Sequence, residues 1–99
     1  MRSDAHRYLV AYDVPCDRRR TRLAKVLSAY GDRIQYSVFV VDAARSKLVR
    51  LRDEVRGVIE QDEDSVLLCD LGLLAAVDGG IFSIIGRGRP LTGLDALIV

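Results

Sequence analysis

Residues 8–41 read YLVAYDVPCDRRRTRLAKVLSAYGDRIQYSVFVV, and the fold turns on how that stretch is divided. Tyr8–Asp13 is apolar and rich in aromatic and β-branched side chains, the composition of a buried strand. Pro15 has no N–H to give to a ladder and pushes Val14 out of the helical region, so the strand stops near Asp13. Asp17 is an N-cap candidate. Leu23, Val26, Leu27 and Tyr30 follow at i, i+3, i+4 and i+7, one stripe of an amphipathic helix that Gly31 ends as its C′ residue. Arg33–Val41 is extended. It alternates from Ile34 to Val38 and then turns wholly apolar, as one bent strand or two short strands joined at a bulge.

Downstream the pattern repeats. Residues 45–60 carry a second helical stripe through Leu48, Leu51, Val55 and Ile59, and the acidic QDEDS that follows is a turn. Ser65–Leu71 is a strand with apolar residues on both faces, which reads as a central position. LGLLAAVDGG is a loop with room for a helical turn, Ile81–Ile85 is a strand, GRGRP is a turn and Ala96–Val99 is a last short strand. The order predicts a ferredoxin-like α+β fold over residues 1–99: a βαββαβ sandwich, helices on one face of the sheet, with an extra C-terminal strand.

Composition bounds the function. With 99 residues there is room for one core, which buries roughly 65% of the extended chain's surface, so a partner subunit would help. The 49% hydrophobic share excludes intrinsic disorder. No apolar run nears the ~18 residues that span a bilayer, and MRSDAHRYLV has no signal-peptide core, so the chain reads as cytoplasmic and Cys16 and Cys69 as thiols. The net charge of +1 conceals a basic cluster in RRRTRLAK. Such a local patch is either a solvated helix face or the footprint of a nucleic-acid binder.

Few residues offer chemistry. There is no paired CxxC, no phosphate-loop or nucleophile-elbow motif, and the single histidine, His6, lies in an N-terminus expected to fray. Gly86-Arg87-Gly88-Arg89 is a turn rather than a phosphate loop, because no helix follows it. Asp13 stands apart, a carboxylate where a buried strand runs into a Pro-broken loop. It caps the next turn, or pairs with Arg18–Arg20, or does chemistry. One carboxylate is a poor site for a hard cation such as Mg²⁺, but a two-fold dimer brings two copies together at its axis, where one metal could activate a water for phosphodiester attack. Arg18, Arg19, Arg20 and Arg22 open the first helix, where cations are disfavoured by the helix dipole. Four guanidiniums at that cost point to phosphate recognition. An RNA-recognition motif would need exposed aromatics on its central strands, which YLVAYD and SVLLCDL do not supply. A ferredoxin-like small-molecule sensor would not need arginines packed at one helix start.

The ordered set YDVPCDRRRTRLAKVL and GDRIQYSVF resembles the small CRISPR-associated protein family two (Cas-two), most strongly over residues 8–39, and a Gly-x-Gly-x-Pro stretch near the C-terminus agrees. The resemblance implies a symmetric homodimer, with the C-terminal strand packing on the partner's sheet. It implies a role in CRISPR spacer acquisition, an antiviral defence, in which two protomers bridge dimers of the Cas-one integrase and hold duplex protospacer DNA. It also implies an activity described for some members, Mg²⁺-dependent endonuclease cleavage of single-stranded RNA or double-stranded DNA, with Asp13 as metal ligand and catalytic residue. In others the role is architectural. Nucleic-acid-binding positions carried over on the motif are Arg20, Arg22, Arg33 and Phe39; Arg18 and Arg19 join them on charge position alone.

Overall fold

The computed structural model describes residues 4–77 and 83–88. In chain order these form β1 (His6–Asp13), α1 (Asp17–Ser28), β2 (Gly31–Gln35), β3 (Val38–Ala43), α2 (Arg45–Val58) and β4 (Ser65–Leu73), followed by a 3-10 turn at Leu74–Ala76. The sheet order is β2-β3-β1-β4 and every neighbouring pair is antiparallel. This is the ferredoxin-like α+β arrangement. The expected strand at residues 96–99 lies outside the described residues, and of the expected strand at 81–85 only a bridge at Ile84 is described.

Alternation along the strands separates two faces. Tyr8, Val10 and Tyr12 of β1 and Phe39, Val41 and Ala43 of β3 join Leu23 and Leu27 of α1 and Leu51 and Val55 of α2 in one buried cluster. Both helices therefore cover the same face, as their apolar stripes require. On the other face Ile34 and Val40 form a small second cluster with Leu9 and Val38. Among the described residues no helix covers that face, and Leu67 of β4, opposite Ala11 in the register, is 60% exposed.

Several boundaries differ from the sequence reading for physical reasons. β1 starts at His6 because its first residues pair on both sides, with Ala43 and Leu73. His6 Nδ1 lies 2.9 Å from Asp70 Oδ1, so this histidine is a ladder residue and not part of a frayed end. Arg33–Val41 is two short strands, as one of the two expectations had it, but a hairpin turn at Tyr36-Ser37 joins them, and the irregularity in their register falls between Arg33 and Gln35. Ser37 lies in that turn, where its carbonyl accepts from the Tyr12 N–H at 3.1 Å. Asp17 is the first helical residue of α1 rather than its cap, a role held by Cys16 without a side-chain bond. Gly31 does not end α1 with a left-handed turn. Ala29 is the C-cap, and Gly31 opens β2, where a Cβ would sit 2.1 Å from the Val40 carbonyl oxygen. Close strand approach, not a positive φ, requires glycine there. β4 is an edge strand of the described sheet and not central. Its two apolar faces have another cause: Val66 and Leu68 pack under the helices while Leu67 and Cys69 lie on the uncovered face. Cys16 and Cys69 are free thiols. No described helix is long and apolar enough to cross a membrane.

Candidate nucleic-acid interface

The end of β1, the first turn of α1 and the β2–β3 turn meet at one corner of the sandwich, joined by specific hydrogen bonds. Tyr12 Oη donates to the Tyr36 carbonyl at 3.3 Å. Arg20 Nη1 donates to the Val14 carbonyl at 2.7 Å, and its Nε to Tyr36 Oη at 3.3 Å. Arg33 Nε donates to the Tyr36 carbonyl at 3.0 Å, and Nη2 to Tyr12 Oη at 3.4 Å. Asp17 also holds Arg20 as an i,i+3 ion pair. Asp13 sits between Tyr12 and Val14, two residues that this network pins.

Asp13 is exposed and shares the uncovered face of the sheet with Ala11 and Leu67. The pairing once open to it does not form: the ion pairs of the first α1 turn run from Arg19 to Asp64 and Glu63 and from Arg20 to Asp17. Asp13 thus presents a solvated hard oxygen donor at the corner. Among the described residues no three His, Cys, Asp or Glu side chains cluster as a metal site. One chain therefore supplies a single carboxylate to a divalent cation, and the donor chemistry suits Mg²⁺ only with water or a second chain completing the shell.

The structure brings Arg20 and Arg33 into this corner and leaves Arg18 and Arg22 exposed on α1 nearby. Two other residues fall differently. Phe39 is fully buried and stacks beside Tyr12, ring centroids 6.3 Å apart. Its ring cannot meet a nucleic acid; it supports the guanidinium of Arg33, which lies 5.5 Å above it. Arg19 is a structural clasp. Its Nε donates to Asp64 at 2.7 Å, its Nη2 to the other Asp64 oxygen at 3.0 Å and to Glu63 at 3.2 Å.

Asp64 is the residue that sequence reasoning missed. Its side chain has no exposed surface, and besides Arg19 it accepts the Glu60 N–H at 2.8 Å. These donors hold its carboxyl below the usual range, with the Arg19 hydrogen bond first, and Asp64 in turn pushes the Arg19 guanidinium up. A run of acids in a turn gives no sign of which one points inward. Tyr36 was likewise unassigned. Strand alternation hid it, and only the hairpin turn exposes its ring, with 60% of its surface free.

The fold and the corner together define a small ferredoxin-like α+β domain with an exposed acid and two oriented arginines at one end of its sheet. Comparison narrows it. The family model for CRISPR associated protein Cas2 matches residues 6–73. A Synechocystis protein named CRISPR-associated endoribonuclease Cas2 3 is 44% identical over 59 residues, 60% of this chain and 64% of that relative. The chain thus spans just under two-thirds of that relative's length. The solved structure of a hypothetical protein, TT1823, from Thermus thermophilus superposes with a TM-score of 0.75 at 31% identity, over 89% of this chain and 99% of that one. Streptococcus pyogenes Cas2 superposes with a TM-score of 0.63 at 30% identity, over 67% and 86%. The chain belongs to the CRISPR-associated Cas2 family.

Proposed function

We propose that this chain works as a symmetric homodimer that grips a nucleic-acid backbone at the Asp13 corner, serves CRISPR spacer acquisition with the Cas-one integrase and duplex protospacer DNA, and cleaves phosphodiesters of RNA or DNA with Mg²⁺. The single observation that carries the reading is the convergence of Asp13, Arg20 and Arg33 through the Tyr12–Tyr36 network, with the exposed Arg22 two residues farther along the same helix. The relative's name as an endoribonuclease supports the chemistry. The uncovered sheet face supports the dimer, since exposed apolar surface such as Leu67 seeks a partner, and that face is the one that carries Asp13.

In this reading Arg20, Arg22 and Arg33 bind phosphate oxygens as permanently charged forks, Arg20 and Arg33 held in direction and Arg22 free on the helix surface. Arg33 is oriented by the Tyr36 carbonyl and Arg20 by the Val14 carbonyl, so each keeps its direction without a ligand. Asp13 offers its carboxylate as a metal ligand, paired with the partner's copy across the axis. A bound Mg²⁺ would polarise the phosphoryl oxygen and acidify a water. An architectural reading, with binding and no cleavage, is favoured by the same donor count: holding a duplex needs only the arginines of one surface, whereas a metal site needs two chains.

One experiment separates the two. Purified protein is incubated with single-stranded RNA and with duplex DNA, in Mg²⁺ or EDTA, alongside Asp13→Ala, while light scattering records its mass. Cleavage lost at least about 100-fold in both EDTA and Asp13→Ala, from a dimer, supports hydrolysis. Cleavage that persists in Asp13→Ala removes the shared metal site, and a monomer at micromolar concentration removes the dimer on which it depends.

A further inference from the structure

We infer that Tyr36 is a stacking platform for one unpaired nucleobase, a role that rests on the proposed nucleic-acid binding and adds to it a preference for single-stranded or splayed nucleotides. Tyr36 is the one large aromatic side chain strongly exposed among the described residues. A turn tyrosine left in solvent is ordinary; this one is held. Its carbonyl accepts from Tyr12 Oη and Arg33 Nε, its hydroxyl accepts from Arg20 Nε, and the Arg33 guanidinium lies 5.4 Å from its ring centroid. One side of the ring is thus backed by a cation and its tip is anchored. A ring fixed in this way loses little further freedom when a base stacks on it.

The surroundings suit a nucleotide. Tyr36 borders an open groove of about 840 Å³ that Gln35, Ser37 and Arg87 also line, within the size range of sites for small organic ligands. The groove therefore combines an aromatic wall, an amide and a hydroxyl for base edges, and guanidiniums, with Arg33 over one side of the ring, Arg20 at its hydroxyl and Arg87 among the lining residues. Aromatic stacking flanked by arginines is how single strands are held without regard to sequence. Duplex bases are already stacked on each other and cannot use such a wall unless they splay out.

The test measures fluorescence anisotropy with three labelled probes of about twelve nucleotides, the order of one single-strand site: oligothymidylate, the same strand made wholly abasic, and oligouridylate RNA. Tyr36→Ala is expected to weaken the two base-bearing strands by roughly ten-fold, the order of one lost stack, and the abasic strand by no more than about two-fold, the share of the lost Arg20 contact to the Tyr36 hydroxyl. Tyr36→Phe retains the ring and restores affinity to within about two-fold, which a merely structural loss would not do. A larger loss on RNA than on DNA assigns the platform to RNA, and the reverse to DNA. The inference is overturned if Tyr36→Ala binds oligothymidylate and oligouridylate like wild type, or if it loses the abasic strand equally. Wild-type protein that binds none of the three probes, nor a duplex, overturns the proposed function instead, and the platform with it.

Discussion

The two helices carry the same number of arginines and use them differently. α1 has Arg18, Arg19, Arg20 and Arg22 in its first turns; α2 has Arg45, Arg50, Arg52 and Arg56 spread along its length. All four on α2 are exposed, and the ion pair recorded there is the loose Arg56–Asp53 contact at 3.8 Å. On α1, Arg19 is clasped by a buried carboxylate and Arg20 is bolted to a strand end and a hairpin turn, while Arg18 and Arg22 stay free. Charge count alone would make the helices equivalent. What distinguishes α1 is that second partners fix some of its guanidiniums in direction, beside a solvated acid, while α2 carries exposed charges on a wet face.

That contrast can be broken most directly by charge reversal. Arg20→Glu with Arg22→Glu is expected to weaken duplex DNA binding by at least about 100-fold at moderate salt and to flatten the salt dependence by roughly two phosphate contacts. Arg45→Glu with Arg56→Glu on α2 changes the same formal charge and should cost less than about ten-fold. Titrations at several salt concentrations read both. Equal losses from the two helices would mean that net charge, not fixed geometry, does the binding.

Within α1 the comparison sharpens between Arg19 and Arg22. Asp64→Asn strips the charge from a carboxylate that is wholly buried against Arg19. It should lower the melting temperature by roughly 10 °C, since a broken buried pair leaves a desolvated group without its partner. Arg22→Ala, at an exposed position, should move it by only a degree or two. Thermal unfolding followed by circular dichroism decides. If Asp64→Asn melts with wild type, the clasp is incidental and Arg19 returns to the set of candidate phosphate ligands.

The sequence made the elements legible wherever a period governed them. The Leu23–Tyr30 and Leu48–Ile59 stripes located both helices, and the Pro15 break located the end of β1. The Asp13 corner was legible too, because a strand-end acid followed by four arginines is locally costly. What escaped notice depended on contacts distant in sequence. Arg19 and Asp64 are 45 residues apart, so nothing in RRRTR tells the clasp from the free arginines. Phe39 and Tyr36 exchange roles for a similar reason. Alternation through RIQYSVF is compatible with a continuous strand, and only Gly31 pressing on the Val40 carbonyl and the pairing of Arg33 with Phe39 impose the turn that buries one ring and exposes the other.

The smallest expected effect concerns acid, and it again sets a buried site against an open one. Asp64 and Asp70 both have folded pKa values depressed below the ordinary carboxylate value, Asp64 first by the Arg19 hydrogen bond and Asp70 first by that of His6. A depressed folded value means that the unfolded chain takes up protons first as pH falls. The stabilisation is therefore complete above the ordinary value near 4 and disappears as pH drops through the folded values. Asp64 is enclosed, whereas the Asp70 side chain is 51% exposed, so solvent screens most of what Asp70 contributes. Urea unfolding midpoints between pH 7 and pH 3 should stay level down to about pH 5 and then fall. Asp64→Asn should start lower and fall less steeply, while Asp70→Asn should follow wild type closely. A slope unchanged in Asp64→Asn would place the acid-sensitive step elsewhere, and the distinction between the clasped and the open carboxylate would lose its energetic meaning.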